Sequence, residues 1–217
     1  LNYLLMQIII DIREKELCKL LPALSADYTI AVNITTQQLP LGDAIIADDT
    51  GRELVLIERK SLRDLAASIK DGRYEEQSYR LNNHPLHNHN IVYLIEGDLK
   101  TYSTRYTRLP KKTLYSAMFA VNYYKGFSLV RTMNVLETAE YILRAASKLS
   151  RARDVLGYYN GGDKREEKQY SDVVKKARKL PPEETAPEPV AVEVPVVEPA
   201  SPEPSPETAV ESESEES

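Results

Sequence analysis

Apolar residues run almost without a break from position 4 to 10, LLMQIII, which predicts a buried strand. Leu17, Leu20, Leu21 and Leu24 then recur at helical spacing, predicting a short helix over Glu14 to Leu24. The β-branched content of Asp27 to Ile34 predicts a second strand. In LPLGDAIIADDTGRELVLIERK two apolar runs flank DDTG, the pattern of a β-hairpin. After Lys60 the period becomes helical. Leu62, Leu65 and Ile69 share one face until Asp71-Gly72 breaks it, and RYEEQSYRL resumes as a second helix. A strand over Ile91 to Glu96 ends at Gly97, residues 111 to 124 are helical in pattern, and Phe127 to Arg131 is strand-like. Asn134 with Glu137 three positions on is a capping box. Val135, Ala139, Ile142, Leu143, Ala146 and Leu149 follow it as one apolar stripe. Strands alternating with helices predict an α/β domain with a mixed central sheet flanked by helices.

Composition divides the chain. Residues 181–217 hold eleven Glu, no Lys or Arg and nine of the thirteen prolines, the composition of a disordered acidic tail. The first 180 residues carry all 28 Lys and Arg against 22 acidic groups, a formal charge of +6 that the overall −5 conceals. A basic domain of that kind permits a polyanionic partner. The expected organisation is a folded domain over 1–150, a basic, partly helical extension over 151–180 that includes Lys175, Lys176, Arg178 and Lys179, and the Pro/Glu-rich tail over 181–217. The tail is expected to compete with a polyanion for the basic face. A single cysteine, Cys18, excludes an intramolecular disulfide framework and reads as a small core residue. Asp11 and Arg13 follow the opening apolar run too soon for a membrane span, and no basic segment precedes it. The expectation is a soluble, intracellular protein, its beginning at Leu1 trimmed or processed.

Chemistry is suggested where the strand LVLI ends in Glu58, Arg59 and Lys60. Strand alternation puts Glu58 and Lys60 on one face and Arg59 on the other. A turn centred between Thr50 and Gly51 places Asp43 opposite Glu58, with Cβ atoms about 5 Å apart. A register off by one would move Asp43 to the other face. Facing carboxylates repel unless a cation lies between them. Mg²⁺ takes one or two carboxylates and keeps positions for water and phosphate, so Asp43, Glu58 and Lys60 suit phosphodiester hydrolysis. Asp11 ends the first strand, from which it reaches the same place if that strand neighbours the hairpin. The alternative is a set of solvated charges that simply cap a strand.

Gly42-Asp43, the run ERKSLRD from Glu58 to Asp64 and IKDGRYEEQSYRL from Ile69 to Leu81 together resemble the XPF/MUS family of structure-specific endonucleases, and its crossover-junction branch in particular. IIIDIREKE, VYLIEGD and GFSLVRTMNVLETAEYI add to the likeness, which covers residues 6 to 149. The resemblance implies a restriction-endonuclease-like nuclease core, dependence on Mg²⁺ or Mn²⁺, and incision of branched DNA such as flaps, forks and nicked junctions in repair or recombination. By resemblance Asp43 and Glu58 are metal ligands, Lys60 assists the attacking water, Asp11 completes the acidic cluster and Asp64 supports the site. Arg59 holds the phosphate backbone or the loop geometry, and Arg73 and Gln77 line the DNA-facing side. The family also implies pairing, as a homodimer or with a related nuclease-fold subunit, for which the helix beginning at Asn134 is a candidate face and core packing the competing role. A eukaryotic source would imply the nucleus. Members carry a tandem helix-hairpin-helix module after the nuclease domain, for which residues 151–217 hold too little apolar material. The alternative function is a catalytically silent, DNA-binding scaffold subunit that pairs with an active nuclease. A third is an enzyme of this fold with another DNA substrate.

Two further stretches bear on binding. Tyr102, Arg105, Tyr106, Arg108, Lys111 and Lys112 interleave aromatic and basic groups, as nucleic-acid surfaces do, and Arg105, Arg108, Lys111 and Lys112 are expected to contact phosphates. His84, His87 and His89 lie in a polar loop without a second ligand pair, a poor match to a zinc site.

Overall fold

The computed structural model describes residues 5–28, 32–152 and 157–159, all within one compact unit, Leu1–Glu166. The expected acidic tail and most of the basic extension lie outside the described residues. Six strands form one mixed sheet: β1 (Met6–Asp11), β2 (Val32–Gln37), β3 (Ala44–Ala47), β4 (Glu53–Ser61), β5 (Ile91–Glu96) and β6 (Ser128–Thr132), in the order β2-β1-β3-β4-β5-β6. β3 runs antiparallel to both of its neighbours, and the other three pairings are parallel. The helices are α1 (Lys15–Asp27), α2 (Leu62–Asp71), α3 (Arg73–Asn82), a single turn α4 (Thr104–Thr107), α5 (Lys111–Tyr123) and α6 (Val135–Arg151). Among the described residues no helix is long and apolar enough to cross a membrane.

One element differs from the sequence reading. Asp27 closes α1, and the second strand begins at Val32. β2 is the sheet's edge, where four of its six residues are exposed, so Thr35, Thr36 and Gln37 extend the strand without adding apolar signal.

Alternation along the strands builds two core layers. Leu56, Tyr93, Ile95 and Phe127 pack with Leu65 of α2, Tyr74 and Leu81 of α3 and Leu114 and Val121 of α5. Ile8, Ile10, Ala44, Ile46, Ile57 and Leu94 pack on the opposite face with Leu17 and Leu21 of α1 and with α6. Each such Leu or Ile contributes about 1.5–3 kcal/mol on burial. Ala139, Ile142, Leu143 and Ala146 of α6 belong to this second layer, so the stripe offered above as a pairing face is core.

The β3–β4 hairpin holds its register by two departures that cancel. Its turn is Asp49-Thr50-Gly51, closed by Asp48 N to Arg52 O and Gly51 N to Asp48 O, and Asp48 caps it by accepting from Thr50 N and Oγ1 and from Arg52 N. This turn lies half a residue earlier than the symmetrical one expected. Ala47 accordingly pairs with Glu53, but a bulge then shifts the ladder, and Ile46, Ile45 and Ala44 pair with Val55, Leu56 and Ile57.

Before β3, Gly42 has φ 74°, a left-handed conformation, and a Cβ there would lie 2.6 Å from Leu56 Cδ1 and 3.1 Å from Ile57 O. The glycine thus lets the chain turn tightly into Asp43 against β4. Gly42→Ala is expected to lower stability by about 2–4 kcal/mol, from backbone strain plus overpacking, as urea denaturation would read. A loss below about 0.5 kcal/mol would show that the turn tolerates a side chain.

Candidate active site

β4 sorts its charges by face. Glu58 and Lys60 follow Leu56 toward α2 and α3, and both are buried, at 8% and 7% exposure. Lys60 Nζ lies 3.5 Å from Glu58 Oε1 and donates to Gln77 Oε1 on α3. The αL break at Gly72, between α2 and α3, separates the two helices and leaves Gln77 over this end of β4. Asp43 sits just past the end of the β3 ladder. Its backbone N–H donates to Ile57 O, and its carboxylate accepts from Arg59 N at 2.7 Å, so it straddles Glu58 along the neighbouring strand.

Burial and the nearby Glu58 push the Asp43 carboxyl up to about 7. Burial also raises Glu58, opposed chiefly by Lys60 and also by Arg13. Half-buried Asp43 and buried Glu58, with one adjacent lysine, are short of positive charge, and near neutrality they hold fewer than two full negative charges.

Asp11 reaches the same face from the end of β1 but is committed to local bonds. It accepts from Arg13 Nε at 2.6 Å, Arg13 N at 2.8 Å and Leu39 N at 2.8 Å, and Arg13 holds its carboxyl down at about 2. Its backbone N–H donates to Asp43 O, which fixes the chain that carries Asp43. Among the described residues no three His, Cys, Asp or Glu side chains are grouped to hold a metal ion. A donor set of two carboxylates is nonetheless what Mg²⁺ takes, with water and phosphate oxygens filling the remaining positions, so Asp43 and Glu58 fit that ion.

Arg59 points to the opposite face. Nε and Nη2 donate to Glu96 at 2.8 and 2.6 Å, Nη1 donates to Glu14 at 2.8 Å, and Thr138 Oγ1 on α6 donates to Glu96 at 2.8 Å. The guanidinium ties the loop after β1 to the ends of β4 and β5. Asp64 accepts from Ser61 Oγ, while the same Ser61 oxygen caps α2 by accepting from Asp64 N. Arg73 opens α3, exposed and paired with Asp71 at 2.7 Å.

Arg105 is on α4, Arg108 closes it at φ 55°, and Lys111 and Lys112 open α5. No acidic residue occurs between Asp98 and Glu137, a stretch that holds seven Lys and Arg. With two lysines in its first turn and no acid, α5 adds the partial positive charge of its own N-terminus to theirs, an arrangement that costs helix stability and favours phosphate. His84 Nε2 lies 3.3 Å from Glu53, and His87 and His89 pack on Tyr159 and Tyr158.

Arg13, Glu14, Glu96 and Tyr93 are not singled out by the sequence. Glu14 and Glu96 sit in IIIDIREKE and VYLIEGD, and an arginine assigned to the opposite face is the available signal that carboxylates must meet it. Tyr93 is aligned with Glu58 across β4 and β5 but hidden in an apolar strand.

The ERCC4 domain model matches residues 10–145. The structure-specific endonuclease subunit MUS81 of Rattus norvegicus is 35% identical over 130 residues, covering 54% of this chain and 22% of that protein. The probable crossover junction endonuclease mus81 of Dictyostelium discoideum is 33% identical over 129 residues, 52% of this chain and 14% of the relative. The chain therefore spans about a fifth or less of the curated relatives named here. XPF from Aeropyrum pernix superposes with a TM-score of 0.52 at 30% identity, over 68% of this chain and 69% of that one. The same protein in complex with DNA gives 0.51 at 28% identity, over 70% and 67%. With more than half its length matched, and the mixed sheet and helices of the XPF nuclease fold, the chain belongs to the ERCC4-domain family, in the XPF/MUS group.

Proposed function

We propose that this chain is the nuclease domain of a Mg²⁺- or Mn²⁺-dependent endonuclease that cuts branched DNA such as flaps, forks and nicked junctions. The observation that carries the reading is the carboxylate pair of half-buried Asp43 and buried Glu58, with buried Lys60 on the same face. A divalent ion bound there would neutralise charge on the scissile phosphate and make an attacking water more acidic. Asp43 and Glu58 would hold that ion. Lys60, released from Gln77, would orient the water and stabilise the negative charge that grows on the phosphate oxygens. Arg73, Arg105, Arg108, Lys111 and Lys112 would hold the DNA backbone. Arg59, bound to Glu14 and Glu96, keeps the end of β4 rigid, so that positioning costs no reorganisation at the moment of reaction.

Cleavage of a labelled panel (3′ flap, fork, nicked and intact four-way junction, plain duplex) is the test. Cutting of the branched substrates with Mg²⁺ and none with EDTA is expected. Binding without cutting under every metal condition would overturn the reading in favour of the scaffold subunit.

Pairing with a second nuclease-fold chain is part of the same proposal, and α5 rather than α6 offers the face. Tyr115, Phe119 and Tyr123 recur every four residues on its exposed side. Phe119 stacks on Tyr123 at 5.1 Å, and Tyr124 meets both edge-on. A contiguous aromatic surface of this kind is typical of what a protein partner covers. The Rattus relative is named as a subunit, which supports pairing. Replacing Phe119 and Tyr123 together with Asp should convert a dimer to a monomer by light scattering. A wild-type chain that is monomeric at tens of micromolar, alone and with a related subunit, would sink the idea.

A further inference from the structure

β5 reads Ile91-Val92-Tyr93-Leu94-Ile95 and carries one polar side-chain atom within that apolar run. Tyr93 is fully buried, and its hydroxyl is the one buried side-chain oxygen or nitrogen among the described residues without a hydrogen-bond partner. An unpaired buried hydroxyl carries a desolvation cost that phenylalanine would not incur. Such an atom in a well-packed strand calls for a reason.

Its position supplies one. β4 and β5 pair in parallel with Tyr93 aligned to Glu58, and aligned residues on parallel strands about 4.8 Å apart present the same face. Tyr93 belongs to the layer under α2, α3 and α5, and the Phe127 ring, 6.2 Å away, fixes its own. The neighbouring Tyr74 hydroxyl is already engaged, donating to Ala117 O at 3.2 Å. Glu58 meets Lys60 only at 3.5 Å, so its carboxylate has acceptor capacity left. Burial and the nearby Glu58 and Asp43 push the phenol up, so it keeps its proton and remains a donor.

We propose that Tyr93 is a positioning residue for Glu58, its hydroxyl donating a hydrogen bond to the Glu58 carboxylate when the site holds its divalent ion. This rests on the reading of Glu58 as an ion-holding carboxylate. A donor to a ligating carboxylate fixes its orientation, and losing such a donor typically costs about 10- to 100-fold in metal affinity. The unpaired hydroxyl is then half of a bond that ion binding completes.

Tyr93→Phe keeps the ring and the packing. In the full chain its dissociation constant for Mn²⁺, followed by the paramagnetic resonance of the free ion, should rise about 10- to 100-fold. The thermal midpoint of the metal-free protein should stay level or rise, because the unpaired oxygen is gone. A purely structural hydroxyl would give the opposite pair, a lower midpoint with Mn²⁺ binding unchanged, and would overturn the proposal. Glu58→Gln run in parallel separates the two failures. If it leaves Mn²⁺ binding intact, the ligand reading of Glu58 falls and the proposal with it. If it weakens binding while Tyr93→Phe does not, only the role of Tyr93 falls.

Discussion

Glu58→Gln is expected to slow cleavage of a nicked junction by at least about 10³-fold, the equivalent of about 4 kcal/mol of lost transition-state stabilisation. Lys60→Ala should bring a loss of about 10²- to 10³-fold, the scale seen when one preorganised donor is removed. The cause differs in the two cases. Glu58 supplies one carboxylate of the pair, whereas Lys60, at 7% exposure, brings a desolvated ammonium to the same pocket. Neither belongs to the exposed basic stretch that includes Arg105, Arg108, Lys111 and Lys112, so the affinity for junction DNA in EDTA should change by less than about threefold. Single-turnover cleavage beside a binding titration separates the two effects. A Glu58→Gln protein that still cuts within tenfold of wild type would remove the site from Glu58. One that neither cuts nor binds would show that the change reaches the DNA surface.

The second large effect concerns Asp43 in the metal-free protein. Its carboxyl lies at about 7 in the folded chain against an ordinary 3.8. At pH values below about 4 both folded and unfolded forms are protonated, and no penalty exists. Between about 4 and 7 the unfolded chain gives up its proton while the folded chain keeps it, so stability falls with rising pH, at most about 1.4 kcal/mol for each pH unit. Above about 7 both forms are ionised and the loss levels off. Asp43→Asn removes this penalty and keeps an oxygen to accept from Arg59 N. The variant should therefore match wild type near pH 4 and exceed it by on the order of 2–4 kcal/mol at pH 8 in EDTA. Mg²⁺ should then stabilise wild type and leave the variant little changed, since the ion binds the ionised pair and competes with protons. Denaturant melts at both pH values, with and without Mg²⁺, check this. An Asp43→Asn protein that is less stable than wild type at pH 8 would mean that the ionised carboxylate is compensated by its surroundings.

Much of the sheet and the sorting of charges on β4 are legible in the sequence because both depend on a period of two. The edge strand is misplaced there because most of β2 faces water, and Thr-Thr-Gln is as good a strand there as any apolar run. The aromatic face of α5 also escapes the pattern, because Tyr115, Phe119 and Tyr123 alternate with core residues Leu114, Met118 and Val121, and the helix reads as apolar all round. Arg59 can be assigned a face but not its partners, since Glu14 and Glu96 lie 45 and 37 positions away and meet it only through the strand order. The nearness of Asp43 to Glu58 follows from a turn placed half a residue too late, and it holds because the bulge makes up the difference.

That bulge limits how this hairpin tolerates insertions and deletions. Removing one residue from Asp49-Thr50-Gly51, or straightening the bulge alone, would slide β4 by one position against β3. The Arg59 guanidinium would then enter the pocket beside Asp43, and Glu58 and Lys60 would face Glu14 and α6. Loop-length variants should therefore be viable only in compensated pairs, in which a change in the turn is matched by the opposite change at the bulge.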